Sequence, residues 1–139
     1  MIALLSIKPE YALRIFDGLK KYEYRRAIFK HPVTKVVVYA SAPISMVIGE
    51  FEVDSIIACD VDALWCQTKH ASGISESLFF AYFTERESGY AIKIGKTVKY
   101  HHPLPLQENY GLHPPQSFVY LSCPLKNRAA ASRDRKSVV

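Results

Sequence analysis

Around Gly18 the side-chain pattern changes its period, and this change restricts the possible folds more than any other feature of the chain. In Pro9 to Asp17, the residues Ala12, Leu13, Ile15 and Phe16 approximate the apolar face of a helix. Pro9 suits the first turn, where its missing amide hydrogen costs little, and Gly18 is a natural C-terminal stop. From Lys21 to Arg26 the residues alternate instead, with Tyr22 and Tyr24 on one face and Lys21, Glu23 and Arg25 on the other. A short helix followed at once by a strand with a charged face needs both a sheet to join and a setting for the charges. With the apolar run Ile2 to Ile7 ahead of it, the chain begins as strand, helix, glycine, strand.

Strands dominate the rest of the chain. Lys35 to Ala40 is valine-rich and flanked by His31-Pro32 and Ala42-Pro43, and Val47 to Ile57 reads as a longer strand with Gly49 as a bulge or close-approach point. Asp60 or Asp62 can cap a helix carrying Ala63, Leu64 and Trp65 that ends at Ser72-Gly73, and Ser75 can cap another with Leu78, Phe79, Tyr82 and Phe83 facing inward. These two helices are expected to pack as a hairpin. Tyr90 to Ile94 and Thr97 to Tyr100 read as strands around Gly95, then prolines 103, 105, 114 and 115 punctuate an irregular region before a closing strand at Phe118 to Leu121. The expected class is α+β: a mixed, partly open β-barrel with about three flanking helices.

At 139 residues the chain fits one domain with its own core, placed at 1–125. Residues 126–139 are expected to be a disordered basic tail, and Asp134-Arg135-Lys136-Ser137-Val138-Val139 resembles the translation of a sequencing adapter, so an artefactual ending is expected. The net charge of +5 reflects that tail: 13 Lys or Arg stand against 12 Asp or Glu in 1–125, but five against one in 126–139. Overall basicity is therefore weak evidence for nucleic acid. Cys59, Cys66 and Cys123 have no framework spacing, nothing at the N-terminus resembles a signal peptide, and no apolar run approaches the roughly 20 residues of a membrane span. The expectation is a cytoplasmic, monomeric protein without membrane contact.

The candidate chemistry lies after the first helix. Gly18 permits a turn and a close ligand approach, and Lys20 leaves that turn as a flexible point charge able to meet phosphate or, if desolvated, to act as base or nucleophile. Glu23 and Arg25 share one strand face, where a guanidinium can pair with the carboxylate or with phosphate. Without further support these are a surface ion pair and a solvated lysine. Tyr22, Tyr24 and Tyr39 could stack on bases, although tyrosines alternating along strands usually belong to a core. Lys8, Ser41, Glu50, Gln116 and Ser117 are second-rank candidates, polar groups beside turns or inside an apolar strand, with Gln116 and Ser117 fixed by Pro114-Pro115; for Glu50 and Glu52 a half-exposed strand face is the plainer reading. The histidines read as solvated loop residues, and Cys66 with His70 is only half a metal site, so no metal and no cofactor is expected.

Gly18-Leu19-Lys20-Lys21-Tyr22-Glu23-Tyr24-Arg25 matches Gly-x-Lys-x-x-Glu-x-Arg and resembles the signature of the ASCH superfamily, a branch of PUA-like domains. Leu5 to Ala12, Ser72 to Ser75 and Pro114 to Phe118 are similar to members of one bacterial and archaeal subgroup, so the resemblance frames residues 2 to 121. It implies a small PUA-like barrel with a cleft lined by the signature; the expected site for RNA, a nucleotide or a modified nucleoside is Gly18, Lys20, Glu23 and Arg25, joined by Lys8, Tyr39, Ser41, Gln116 and Ser117 on the strength of their own residue types and positions. RNA binding is the leading expectation.

Enzymatic action on RNA or nucleosides, through Lys20 and Glu23, is the alternative. Members that hydrolyse N4-acetylcytidine resemble this chain in the lysine, but carry threonine where Glu23 stands and a glutamate shortly before the second helix. Gln67 to Ile74 contains no acidic residue. A transcription-associated adaptor docking through Trp65 and Phe79 is the third reading.

Overall fold

The computed structural model describes residues 1–121; the basic tail, its suspected ending and Cys123 lie outside the described residues. The elements run β1 (Ile2–Ile7), α1 (Pro9–Phe16), β2 (Tyr22–Arg25), β3 (Lys35–Ala40), β4 (Met46–Asp60), α2 (Val61–Thr68), a 3-10 turn (Lys69–Ala71), α3 (Glu76–Tyr82), β5 (Ser88–Leu104), α4 (Leu106–Tyr110) and β6 (Phe118–Leu121). One six-stranded sheet has the order β2-β5-β4-β3-β1-β6. Only β1 and β3 run parallel among its pairs.

Among the described residues the sheet is mixed and flanked by four helices, but it does not close into a barrel. β2 spends its four-residue ladder on β5, and β6 spends its own on β1, so no ladder joins the two edges. A side chain spans the gap instead. Arg25 of β2 donates to the carbonyls of Ser6 in β1, at 3.4 Å, and of Ser117 just ahead of β6, at 3.0 Å.

Both sheet faces are covered, which explains the near-continuous apolar runs in β1 and β3. Ala3, Leu5, Val36, Val38 and Phe51 pack with Ala12 and Ile15 of α1, while Leu4, Val37, Tyr39, Val47 and Tyr100 pack with Leu106 and Tyr110 of α4. A third cluster joins Tyr22, Tyr24 and Ala91 to Leu64, Phe79 and Phe83 of the helical hairpin. Each such side chain contributes roughly 1.5–3 kcal/mol on burial. The helix caps follow the sequence: Asp60 accepts from the Ala63 amide at 2.9 Å, and Ser75 from that of Leu78 at 3.2 Å.

Several expectations change. The two strands expected around Gly95 are one, because the sheet accommodates the glycine at a register shift between β4 and β5. His101 and His102 accordingly belong to a strand, not a loop. The region expected to be irregular contains α4, a single short turn whose apolar residues face the sheet. Phe79 is fully buried and Trp65 half-buried against it at 4.9 Å, so the surface invoked for an adaptor lacks its central ring. Among the described residues no helix is long and apolar enough to cross a membrane.

Candidate functional site

A cleft of about 1020 Å³ opens where the parallel strands β1 and β3 end. β1 delivers Ser6, Ile7 and Lys8 to it, β3 delivers Tyr39 and the following Ser41, and β2 delivers Glu23, Tyr24 and Arg25. Ile74, Leu78, Ala81 and Tyr82, on α3 or just before it, make an apolar wall, and the strap Pro114 to Ser117 forms the rim. The three charged signature groups enter one concavity.

Lys20 is the deepest of them, only 2% exposed. Its ammonium donates to the Ser72 carbonyl at 3.1 Å, lies 3.9 Å from Glu23 Oε1 and sits 4.6 Å above the Tyr24 ring. Burial lowers its pKa from the ordinary 10.5 to about 8, against the Glu23 charge, which favours the ammonium, and with the smaller repulsion of Arg14. Gly73 makes this burial possible. It adopts φ +69°, and a Cβ there would stand 2.3 Å from the Lys20 Cβ. Its carbonyl accepts from Arg14 Nη1 at 2.8 Å, which ties α1 to the same turn.

Glu23 is 6% exposed and presents its second oxygen to Arg25 Nη1 at 3.0 Å. Arg25 also gives Nη2 to both the carbonyl and the hydroxyl of Ser117, each at 3.0 Å. With the Ser6 contact this guanidinium serves four acceptors, so it clamps the rim as much as it faces the cleft. Ser6 adds a hydroxyl hydrogen bond to the Pro115 carbonyl at 2.7 Å. The strap is thus held from below at two points.

The tyrosines divide. Tyr22 packs in the helical-hairpin cluster, outside the cleft. Tyr24 shares that cluster but turns one ring face to Lys20; its hydroxyl donates to Thr68 at 2.7 Å, and burial pushes its pKa up to about 12. Tyr39 is 4% exposed, packs its ring with Leu4 and Val37, and still lines the cleft; its hydroxyl makes no hydrogen bond to the described residues. Lys8, Ser41, Gln116 and Ser117 all line the cleft. Gly18 does not: it is exposed at φ +80° with open space around it, so its contribution is the turn.

Sequence reasoning missed four participants. Tyr11 lines the cleft from α1, with the Lys20 ammonium 5.7 Å from its ring centre, and burial raises its pKa. Gly73 supports Lys20, and the only hint was the Ser72-Gly73 pair, which reads equally well as a helix stop. Arg26 and Tyr82 line the mouth together. The candidate Glu50, expected on a half-exposed face with Glu52, lies outside the cleft and is 6% exposed on the central strand β4, where Tyr100 donates to it at 2.7 Å and Lys35 pairs with it at 2.9 Å. Among the described residues no histidine lines the cleft, and no three His, Cys, Asp or Glu side chains gather as a metal site.

A family model described as the ASCH domain matches residues 5–101. A protein of Zymomonas mobilis named ASCH domain-containing ribonuclease is 29% identical over 126 residues, covering 86% of this chain and 83% of that protein. Two Ureaplasma parvum proteins, named ATP synthase subunit alpha and large ribosomal subunit protein uL22, are 30% and 29% identical over 119 residues. The match takes in 85% of this chain, which spans only 15% and 38% of their respective lengths. The crystal structure of ASCH from Zymomonas mobilis superposes with a TM-score of 0.83 at 28% identity, covering 95% of this chain and 93% of that one. The charged signature groups Lys20, Glu23 and Arg25 converge in one cleft, and the matched family model spans more than half of the sequence: this chain belongs to the ASCH domain family.

Proposed function

We propose that this protein binds unpaired RNA in the cleft, with Lys20 meeting a phosphate or a base edge, Glu23 orienting it, and Arg25 fixing the rim around the ligand. The observation that carries this reading is the mixed lining of the cleft, which brings the charged Lys20, Glu23 and Arg25 together with the apolar Ile74, Leu78 and Ala81. A nucleotide has the same mixture, with an apolar base face and hydrogen-bonding edges beside an anionic phosphate. Lys8, Lys20, Arg25 and Arg26 outnumber Glu23 around the opening, so the cleft attracts anions although residues 1–125 are nearly neutral. The test is RNA binding by wild type and Lys20→Ala across a salt series. The variant should bind at least tenfold more weakly with a shallower dependence on salt; equal affinity and an equal slope would eliminate the reading.

Strand cleavage is the second reading, favoured by the lowered pKa of Lys20 and by the name of the Zymomonas mobilis relative. A neutral Lys20 amine would take the proton of a 2′-hydroxyl as its oxygen attacks the adjacent phosphorus. The 5′-oxygen then leaves as the phosphorus–oxygen bond breaks, taking a proton from solvent water while the Lys20 ammonium returns its own to solvent, and a 2′,3′-cyclic phosphate results. Lys8 and Arg25 would oppose the charge that develops on phosphorus. Incubation with labelled RNA, beside the same RNA carrying 2′-O-methyl groups, tests this step. Cleavage of the first alone, lost in Lys20→Ala, supports it; no cleavage of either leaves the protein a binder. The acetamide-hydrolysis reading finds no support, since the segment that touches Lys20 through Ser72 and Gly73 supplies no carboxylate.

A further inference from the structure

The mouth of the cleft holds an arrangement that Lys20, Glu23 and Arg25 leave unused. Arg26 is exposed, lines the cleft, and places its guanidinium carbon 4.5 Å from the centre of the Tyr82 ring. Among the described residues its side chain makes no hydrogen bond or ion pair, whereas neighbouring Arg25 serves four acceptors. A guanidinium resting on an aromatic face keeps its donors and its outer face free, and that face can accept a stacked base. Tyr82 is half-buried and braced edge-on by Phe83 at 4.8 Å, so the platform is backed by the core. Arg26 follows β2 and Tyr82 ends α3, and the pair therefore joins the charged part of the lining to the apolar part. Size points the same way: clefts that bury one drug-sized ligand measure roughly 300–1,000 Å³, and this one measures about 1020 Å³.

We propose that Arg26 and Tyr82 form a second nucleotide subsite, so that the cleft takes two consecutive nucleotides. One lies against Lys20 and Glu23. The base of its neighbour stacks on the outer face of the Arg26 guanidinium, extending the Tyr82 stack, and the intervening phosphate meets the guanidinium edge. This inference rests on the RNA reading and adds a length requirement to it.

The test measures binding of 2′-O-methyl adenylate monomer, dimer and tetramer, which cannot undergo 2′-hydroxyl attack, at low salt. Wild type should bind the dimer about tenfold more tightly than the monomer, the gain of one stacked base. Arg26→Ala, a change at an exposed side chain that also removes one cation from the opening, should lose that step, weakening the dimer about tenfold more than the monomer. Tyr82→Phe preserves the ring and should keep the step. A wild type that binds monomer and dimer equally, an Arg26→Ala that retains the step, or one that weakens both ligands alike would overturn the second subsite and leave the RNA reading standing. A wild type that binds none of the three would overturn both.

Discussion

Two buried glutamates, Glu23 on the edge strand β2 and Glu50 on the central strand β4, have received similar partners and opposite surroundings. Glu23 has an arginine at 3.0 Å and a lysine at 3.9 Å, and Glu50 has a tyrosine hydroxyl at 2.7 Å and a lysine at 2.9 Å. Around Glu23 the chain leaves a cleft of about 1020 Å³, whereas Glu50 adjoins a hollow of only about 150 Å³. The lysines differ as well: Lys20 is buried, but the Lys35 side chain keeps 32% of its surface in solvent. A desolvated cation beside an open cleft is poised to gain from a ligand, while a half-solvated one closing a hydrogen-bonded pair has little left to gain. The charged pair alone says nothing about function; the volume beside it does.

Removing each carboxylate tests this contrast most directly. Glu50→Ala should destabilise the fold by about 3 kcal/mol in denaturant unfolding, because it removes a buried carboxylate that accepts from the Tyr100 hydroxyl and pairs with Lys35, and should leave RNA affinity unchanged. Glu23→Gln should do the reverse, weakening RNA binding about tenfold with a smaller loss of stability. If Glu50→Ala also removed binding, the two sites would not be independent.

Gly73→Ala should come next, at about 2 kcal/mol, since the new Cβ would collide with Lys20 in a backbone that adopts φ +69°. RNA affinity should fall with it. Gly18→Ala is the control: it shares the positive φ but meets open space, so a loss of about 1 kcal/mol with intact binding is expected. Equal effects on binding would show that Gly73 does not act through Lys20.

Lys20→Met sharpens the comparison through pH. Below pH 8 the buried ammonium is charged in both folded and unfolded chains, and the folded state bears its desolvation. Between about 8 and 10.5 the unfolded chain still holds the proton that the folded chain has released, so stability rises with pH across that window. Above pH 10 Tyr24 acts in the opposite sense, because its hydroxyl, pushed up to about 12, ionises first in the unfolded chain. Relative to wild type, Lys20→Met should thus be more stable at pH 7 by about 1 to 2 kcal/mol, and that advantage should shrink by pH 10. A pH-independent difference in unfolding free energy would contradict the assigned cause.

Parts of this molecule are written locally. The alternation from Tyr22 to Arg25 puts Glu23 and Arg25 on the face opposite Tyr22, and the helix ends at Gly18, Asp60 and Ser75 lie where their side chains or backbone preferences place them. Open closure of the sheet, by contrast, depends on how two distant edges meet at Arg25. The burial of Glu50 depends on Tyr100 and Lys35, which lie far from it in sequence. Continuity of β5 through Gly95 likewise comes from its β4 neighbour, since a lone glycine weakens a strand and reads as a break.

The amino-acid order therefore determined most of the elements, the apolar runs of β1 and β3, and the identity of the signature groups, because periodicity and capping act over a few residues; it determined neither the continuity of β5 nor the helix α4. Tertiary structure alone decided that Lys20 would be buried under Gly73, that Arg25 would clamp Ser117, and that Arg26 would meet Tyr82. Those contacts join segments up to 92 residues apart. No pattern with a period of two or 3.6 residues can encode such a distance; packing sets it once the sheet has folded.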